Sequence, residues 1–459
     1  MTMTQEFAQF VATRSPDWPQ AARSGAARGF VDSIACMIAG RDDDATRRVR
    51  ATLAPWSASK GAASIAGPRL PAPWAALINA TAAHALDYDD VLEPALSHVS
   101  AALVPALLAL GEERGASGGR LIDAYLIGFD VQAALAAAMN MGHYARGWHT
   151  TLTFGAPSAA AACARLLGLD AARSAAAISA ATSFASGAKK QFGTNMKPVH
   201  AGLAAQAGIL AACLAEQGIT AAPEIFEGEW SYGALFGAPG APGFDAARAQ
   251  LAGPSAMTSH GAWLKAHPCC ASAHRPIDAI RAMRRKGLRA ADVESIEAEV
   301  SEIVMGNLMY ETPTDDMQAR FSLNHCLALA LTQDEIRVRD FRPDRLARAE
   351  LRAIWPRVSM RLDPTLPGSM APKLGAERTR VVVTCRDGSR REETIVFPRG
   401  HPQAPMSDAD LGRKFIDCAN GAMSARAMAN LVDALFGLDK LDGIGDIANA
   451  IARLADQGS

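Results

Sequence analysis

Through the first half of the chain, apolar positions recur every three to four residues. In the segment 19–40, Ala22, Ala26, Phe30, Ile34 and Met37 form one helical face, and Gly40 closes the run. The same period predicts helices at 71–84, 101–114, 120–141, 158–167, 171–186, 198–217 and 275–285, separated mostly by Gly, Ser or Asp clusters. No strand is predicted before about residue 265. Beyond it the period changes to two. Ile296, Ala298 and Val300 alternate with Glu297 and Glu299, and Val358, Met360 and Leu362 alternate with Arg357, Ser359 and Arg361, as in half-buried strands. Segments 380–385 and 394–397 flank Asp387-Gly388, a dipeptide that tolerates the positive φ of a hairpin turn. Helical patterns at 323–331 and 340–353 lie among these strands, and 398–402 is an exit loop. The tail returns to helix at 410–419, 425–436 and 443–454, with Ser407, Asp408 and Asp410 in a capping first turn. The pattern therefore predicts a mainly α protein: a large all-helical domain, 1–267 plus 399–459, with a smaller α+β domain, 268–398, inserted into it.

Composition supports a folded, helical chain. With 459 residues, several domains' worth at about 150 residues each, the chain can bury a large core. Hydrophobic residues at 49% and charged ones at 20% place it outside the disordered range. Lys+Arg 46 against Asp+Glu 47 gives a net charge of -1, so no overall field exists to hold nucleic acid. Alanine runs throughout, which favours helix because it loses no side-chain entropy.

The eight cysteines, Cys36, Cys163, Cys213, Cys269, Cys270, Cys326, Cys385 and Cys418, follow no secretory or zinc-ligand spacing, so reduced thiols in a cytoplasmic protein are expected. Residues 1–15 lack a basic n-region and an apolar h-region, so no signal peptide is expected. Segment 198–215 is uncharged but rich in Ala and Gly, and is expected to be a buried helix rather than a membrane span.

Four stretches carry candidate chemistry. The first is His84-Ala-Leu-Asp87-Tyr88-Asp89-Asp90 followed by Ser97-His98, either a pocket wall or a solvated helix terminus. A metal site of His84, Asp87 and His98 would match no strong spacing, and no metal is expected. The second is the loop from Gly142 to Thr151, where Tyr144, Arg146, Trp148 and His149 crowd together; His143 is taken as structural, with His260, His325 and His401 structural or on the surface. The third is Lys197-Pro198-Val-His200-Ala-Gly202, an ammonium at a helix mouth, where it could meet a substrate anion or snorkel to water. The fourth, Lys265-Ala-His267-Pro268-Cys269-Cys270-Ala-Ser-Ala-His274, lies where the helical region gives way to the α+β segment.

Together with Gly147-Trp148-His149-Thr150, Phe321-Ser-Leu323, and Pro405-Met-Ser407 leading into Lys414-Phe415, these stretches in this order resemble the MmgE/PrpD family. The likeness runs over nearly the whole chain. Members include 2-methylcitrate dehydratase, cis-aconitate decarboxylase and iminodisuccinate epimerase. The resemblance implies an all-helical domain from both chain ends with the α+β domain as a lid, usually in a homodimer. It also implies an active site between the domains, walled by Asp87, His98, His149, Lys197 and Lys265, with Tyr144 a proton donor or acceptor. His200, Cys270 and His274 would join Lys265 in binding substrate.

Two departures stand out. Val91 replaces a threonine that often follows the Asp-Asp pair, in a loop one residue longer whose Pro is replaced by Val99. Cys270 stands where the decarboxylase branch carries histidine, which disfavours that activity.

The implied chemistry begins at a carbon beside a carboxylate, where proton removal leaves an enolate-like dianion. Lys197 and Lys265 would offset its charge, His98 or His149 would take the proton, and Asp87 would orient an imidazole. The expectation is a cofactor-independent hydro-lyase acting on a small di- or tricarboxylate such as 2-methylcitrate. An epimerase of a dicarboxylate such as iminodisuccinate is the alternative, ahead of a cis-aconitate-type decarboxylase or an idle helical dimer.

Overall fold

The computed structural model describes residues 1–58, 60–366, 377–419 and 421–455. The protein is mainly α, with one four-stranded sheet. Its chain divides into two units: Met1–Ala85, Asp89–Trp263 and Ser407–Ser459 form one, and Leu86–Tyr88 with Leu264–Met406 form the other.

In the first unit, helix Met196–Glu216 packs on Ala72–His84 and on Gly155–Leu167, which in turn packs on Gly118–Met139. Small residues permit these crossings. A Cβ on Gly208 would stand 2.4 Å from the Ala159 Cβ, and one on Gly202 would stand 2.6 Å from Leu77 and Thr81. An alanine-rich sequence therefore gains contact area by close helix approach rather than from long side chains. Gly118–Met139 and Met196–Glu216 are long and apolar enough to cross a bilayer by length and composition, yet 89% and 67% of their apolar windows are buried inside the protein.

The N-terminal residues that lacked signal-peptide character form helix Met3–Thr13, closed by a capping box in which Thr2 and Gln5 bond each other's backbone N–H. Helices Asp44–Leu53 and Phe244–Ala252 were also not predicted from periodicity.

The second unit is built on strands β1 (Val293–Val300), β2 (Val358–Leu362), β3 (Thr379–Cys385) and β4 (Arg390–Ile395), in the order β2-β1-β3-β4. β1 pairs parallel to β2, with Ile296 opposite Val358, and antiparallel to β3, with Ala298 opposite Val381. β3 and β4 form a hairpin around Asp387-Gly388 as expected, although the second strand begins directly after the turn at Arg390 and ends at Ile395 rather than spanning 394–397; Gly388 takes φ +81° and Asp387 Oδ1 accepts the Ser389 N–H. Charged residues Arg390, Arg391, Glu392 and Glu393 line the edge strand, which discourages further pairing. Helices His274–Arg285 and Leu323–Thr332 pack on the sheet.

The single helix expected at 340–353 is instead three short turns, Val338–Phe341, Pro343–Leu346 and Ala349–Arg352. Pro343 holds Arg342 extended at ψ 153°, and the Asp340 carboxylate accepts the Arg337 N–H, so the i to i+4 ladder cannot run through.

Candidate active site

In the helical unit four histidines lie ring to ring. His84 ends the Ala72–His84 helix, and His98 immediately precedes Val99–Glu113. His149 precedes the short turn Thr150–Thr153, while Lys197 and His200 occupy the first turns of Met196–Glu216. The ring of His84 is 4.2 Å from His98 and 5.9 Å from His149, and that of His149 is 5.1 Å from His200.

One carboxylate organises the first pair. His84 Nδ1 lies 2.9 Å from Oδ2 and 3.1 Å from Oδ1 of Asp89, and His98 Nδ1 lies 3.1 Å from the same Oδ2. Burial alone would raise the Asp89 carboxyl, but attraction to and hydrogen bonds from both imidazoles hold it well below its ordinary range. An ionised carboxylate only accepts, so His84 donates from Nδ1 and presents a lone pair at Nε2. That Nε2 is buried with no hydrogen-bond partner among the described residues, and so is His149 Nε2. Burial pushes His84 down to about 3 against the pull of Asp89, and pushes His200 down to about 4 with the Lys197 ammonium adding to the effect. His149 is likewise held well below its ordinary value, by burial first and then by Lys197. Neutral imidazoles beside a fixed ammonium follow. The edge of His149 meets Phe192 at 4.9 Å, and Lys197 Nζ sits 5.4 Å from the centre of the same ring.

Backbone contacts hold these side chains in place. The loop before His98 turns through Leu96 at φ +47° and is tied down by Asn140 Nδ2, which donates to the Pro94 and Ala95 carbonyls, and by Thr150 Oγ1, which donates to the Leu96 carbonyl. Thr151 Oγ1 accepts the His98 N–H, and the His149 N–H donates to the Gly187 carbonyl at 2.8 Å.

The structure thus brings together His98, His149, Lys197 and His200 of the residues expected from sequence. Tyr144, also in this unit, is buried with the Lys189 ammonium 3.7 Å above its ring. His143 is structural: its Nδ1 donates to the Phe236 carbonyl, and its Nε2 accepts from Thr153 Oγ1. Asp89, not among the residues expected at the site, contacts two of the imidazoles, and His84 is a full member of the cluster.

Asp87, at φ +51°, belongs to the second unit, where Lys265 Nζ donates to its carbonyl at 2.6 Å and lies 3.3 Å from its Oδ1. Lys265 is fully buried. Cys270 donates its N–H to the Arg320 carbonyl, and His274, also buried, lies 3.4 Å from the Cys269 carbonyl and 5.0 Å ring to ring from His267. His267 Nε2 in turn lies 3.1 Å from Asp278 Oδ1, a contact that the sequence did not signal.

Ligand atoms of His84, Asp89 and His98 all lie within 4.8 Å of one another, a donor set that a divalent cation could use. The His84–Asp89 separations of 2.9 and 3.1 Å are those of direct hydrogen bonds.

Behind the cluster Asp90 accepts from Ser100 N and Oγ, and Ser100 Oγ shares a hydrogen bond with Tyr125. Burial raises the Asp90 carboxyl to about 7 from 3.8, with Asp32 and Asp89 adding to the rise and Ser100 opposing it. In the unfolded chain this group ionises near 3.8, while in the native protein it keeps its proton to about 7, so its contribution to stability falls as pH rises through that window and then levels off. The stability of Asp90→Asn relative to wild type, measured by urea unfolding, should therefore increase between about pH 4 and about pH 7 and stay constant above. A pH-independent difference would contradict the assignment.

An alanine-rich helical body carrying imidazoles on a buried carboxylate, joined in one chain to an α+β unit, defines the class. The model of the MmgE/PrpD N-terminal domain matches residues 5–244 and that of the MmgE/PrpD C-terminal domain matches 267–437. The chain belongs to the MmgE/PrpD family. It is similar to the cis-aconitate decarboxylase of Homo sapiens, 27% identical over 387 residues that cover 82% of this chain and 78% of the relative. It is also similar to the cis-aconitate decarboxylase of Aspergillus terreus, 27% identical over 445 residues, 90% of this chain and 88% of the relative. The cis-aconitate decarboxylase-like protein oryM of Aspergillus oryzae is 24% identical over 483 residues, 98% of this chain and 97% of the relative.

Proposed function

We propose that this protein is a cofactor-independent lyase, a dehydratase that moves a proton at the carbon next to a carboxylate of a small hydroxy-polycarboxylate such as 2-methylcitrate. The observation that carries this reading is the pair of buried imidazole nitrogens, Nε2 of His84 and of His149, with no hydrogen-bond partner among the described residues and with the charge of Lys197 acting on both rings. Buried polar atoms of this kind call for a ligand or a chemical role.

Lys197 would hold a substrate carboxylate and offset the charge that develops when the adjacent carbon loses its proton. Dehydration needs a base and an acid. The Asp89-held imidazoles keep a lone pair at Nε2 that can accept from the substrate. His149, with its Nε2 open and His200 behind it, can take the proton and give one to the departing hydroxyl.

Decarboxylation is the second reading, favoured by the names of the relatives. There the bond to a carboxylate breaks, carbon dioxide leaves, and a histidine supplies the proton that replaces it.

Purified, metal-stripped protein should be offered 2-methylcitrate, citrate and cis-aconitate, with alkene absorbance and carbon dioxide followed together. Alkene formed from a hydroxy acid without carbon dioxide supports the dehydratase, whereas carbon dioxide from cis-aconitate replaces it with the decarboxylase. Deuterium entering the α-carbon of a dicarboxylate with neither product would mean epimerisation. Lys197→Ala, His98→Ala and His149→Ala should each lower turnover by roughly tenfold or more, as for groups that transfer protons or stabilise charge. Melting temperatures should move little, and full activity in any variant removes that residue from the mechanism.

A further inference from the structure

We propose that His149 and His200 work as one two-histidine relay, in which a single proton shared between their Nδ1 atoms switches His149 Nε2 between base and acid. This rests on the proton-transfer reading above and adds to it how one imidazole serves both strokes.

The two Nδ1 atoms are 2.8 Å apart, a hydrogen-bond distance between like atoms. Two protonated nitrogens would clash there and two lone pairs would repel, so a neutral pair carries one proton between them. The rings are therefore in opposite tautomers. If His149 holds the shared proton, its Nε2 is a lone pair and His200 carries N–H at Nε2. If His200 holds it, His149 carries N–H at Nε2. The outer nitrogen of His149 is the buried atom without a hydrogen-bond partner among the described residues, so it is the end of the pair available to a reactant.

The surroundings are shaped to this contact. A Cβ on Gly187, which takes φ +152°, would stand 3.3 Å from Cε1 and 3.4 Å from Nδ1 of His200, so the absence of a side chain leaves room for the ring. The carbonyl of the same Gly187 accepts the His149 N–H at 2.8 Å. One residue of the loop thus bears on both partners. Lys197 stands three residues before His200 at the start of the same helix, and its charge opposes a second proton on either ring.

In the forward stroke the substrate C–H bond breaks, its electron pair stays on the substrate, and the proton bonds to His149 Nε2. The proton on His149 Nδ1 passes to His200 Nδ1, and His200 releases its Nε2 proton to water. The pair ends neutral with the tautomers exchanged. His149 then holds an Nε2–H that can protonate the leaving hydroxyl, and the reverse shift restores the first state. His200 acts here through His149 and is a positioning and relay residue.

The test is His200→Asn in the full-length protein. The amide oxygen can accept from His149 Nδ1–H and keep the ring in place, but it cannot pass a proton on. Turnover should fall by about tenfold or more with KM changed by less than about twofold, the split expected for loss of proton transfer without loss of binding. Independently, nitrogen-15 NMR of the substrate-free wild type should show His149 and His200 in opposite tautomers coupled by one strongly deshielded Nδ1 proton. In the variant, His149 should be in the Nδ1–H form alone.

Equal tautomers in the wild type, or full turnover in His200→Asn, overturns the relay. If no polycarboxylate is turned over while the spectrum shows the coupled pair, the lyase reading fails and the pair stands. Should the variant not fold, Gly187→Ala crowds the His200 ring without removing an ionisable group. The shared-proton signal and turnover should then weaken together, and a strong signal with unchanged turnover would reject the proposal.

Discussion

Asp89→Asn should lower turnover by roughly 10⁴-fold, the scale seen when the carboxylate behind a catalytic histidine becomes an amide. Asp89 contacts Nδ1 of both His84 and His98. The amide removes the negative charge that favours a proton on Nδ1 of both rings, and its NH2 can stand 3.1 Å from His84 Nδ1, which moves that ring's proton to Nε2. An Nε2 lone pair is then lost although every ring keeps nearly its place. Circular dichroism and the melting temperature should be close to wild type, which separates this effect from unfolding. Turnover within about threefold of wild type would remove Asp89 from the mechanism, since loss of an orienting group is expected to cost far more.

The largest stability effect is expected at Lys414→Met. Lys414 Nζ lies 2.6 Å from Asp32 Oδ1, and both residues are buried. Burial opposes the ammonium, yet the attraction of Asp32 raises it to about 12. Removing one partner takes away the ammonium that compensates a carboxylate out of water, which costs about 3–5 kcal/mol, whereas replacing both partners is far milder. Urea unfolding of Lys414→Met against Asp32→Asn/Lys414→Met should show the double variant recovering most of the loss. A single-variant cost below about 1 kcal/mol, in the range of exposed pairs, would show the pair to be solvated in solution. Asp32 lies in helix Gln20–Ala39 and Lys414 in Asp408–Ala419, so this pair ties the last part of the chain to the first part of the same unit.

Much of the helical and strand content was legible because it depends on local periodicity. Positions three and four apart lie on one helix face whatever the rest of the chain does, and the hairpin at Asp387-Gly388 needs only a residue tolerant of positive φ between two alternating runs. The break within 340–353 is carried by Pro343, whose ring holds Arg342 extended and cannot sit inside a helix.

The site was half legible. Motif order named His98, His149, Lys197 and His200, which the structure brings together. It pointed to Asp87 and did not single out Asp89 as the partner of two imidazoles, because the backbone turn at Asp87, φ +51°, is not a matter of residue type. Asp87 faces Lys265, Asp89 holds two histidines, and Asp90 is bound to Ser100.

By itself, then, the order of residues determined a mainly α chain, where most of its long helices and its sheet would fall, and the family to which it belongs. Those properties follow from local geometry and from short motifs that survive when read one segment at a time. Only the tertiary structure decided that the Nδ1 atoms of His149 and His200 lie 2.8 Å apart, that Asp89 meets two imidazoles, and that Lys414 answers Asp32. Each is a contact between residues that are not helical or strand neighbours. It depends on turns and helix packing that bring separate segments together, and no periodicity along the chain encodes those.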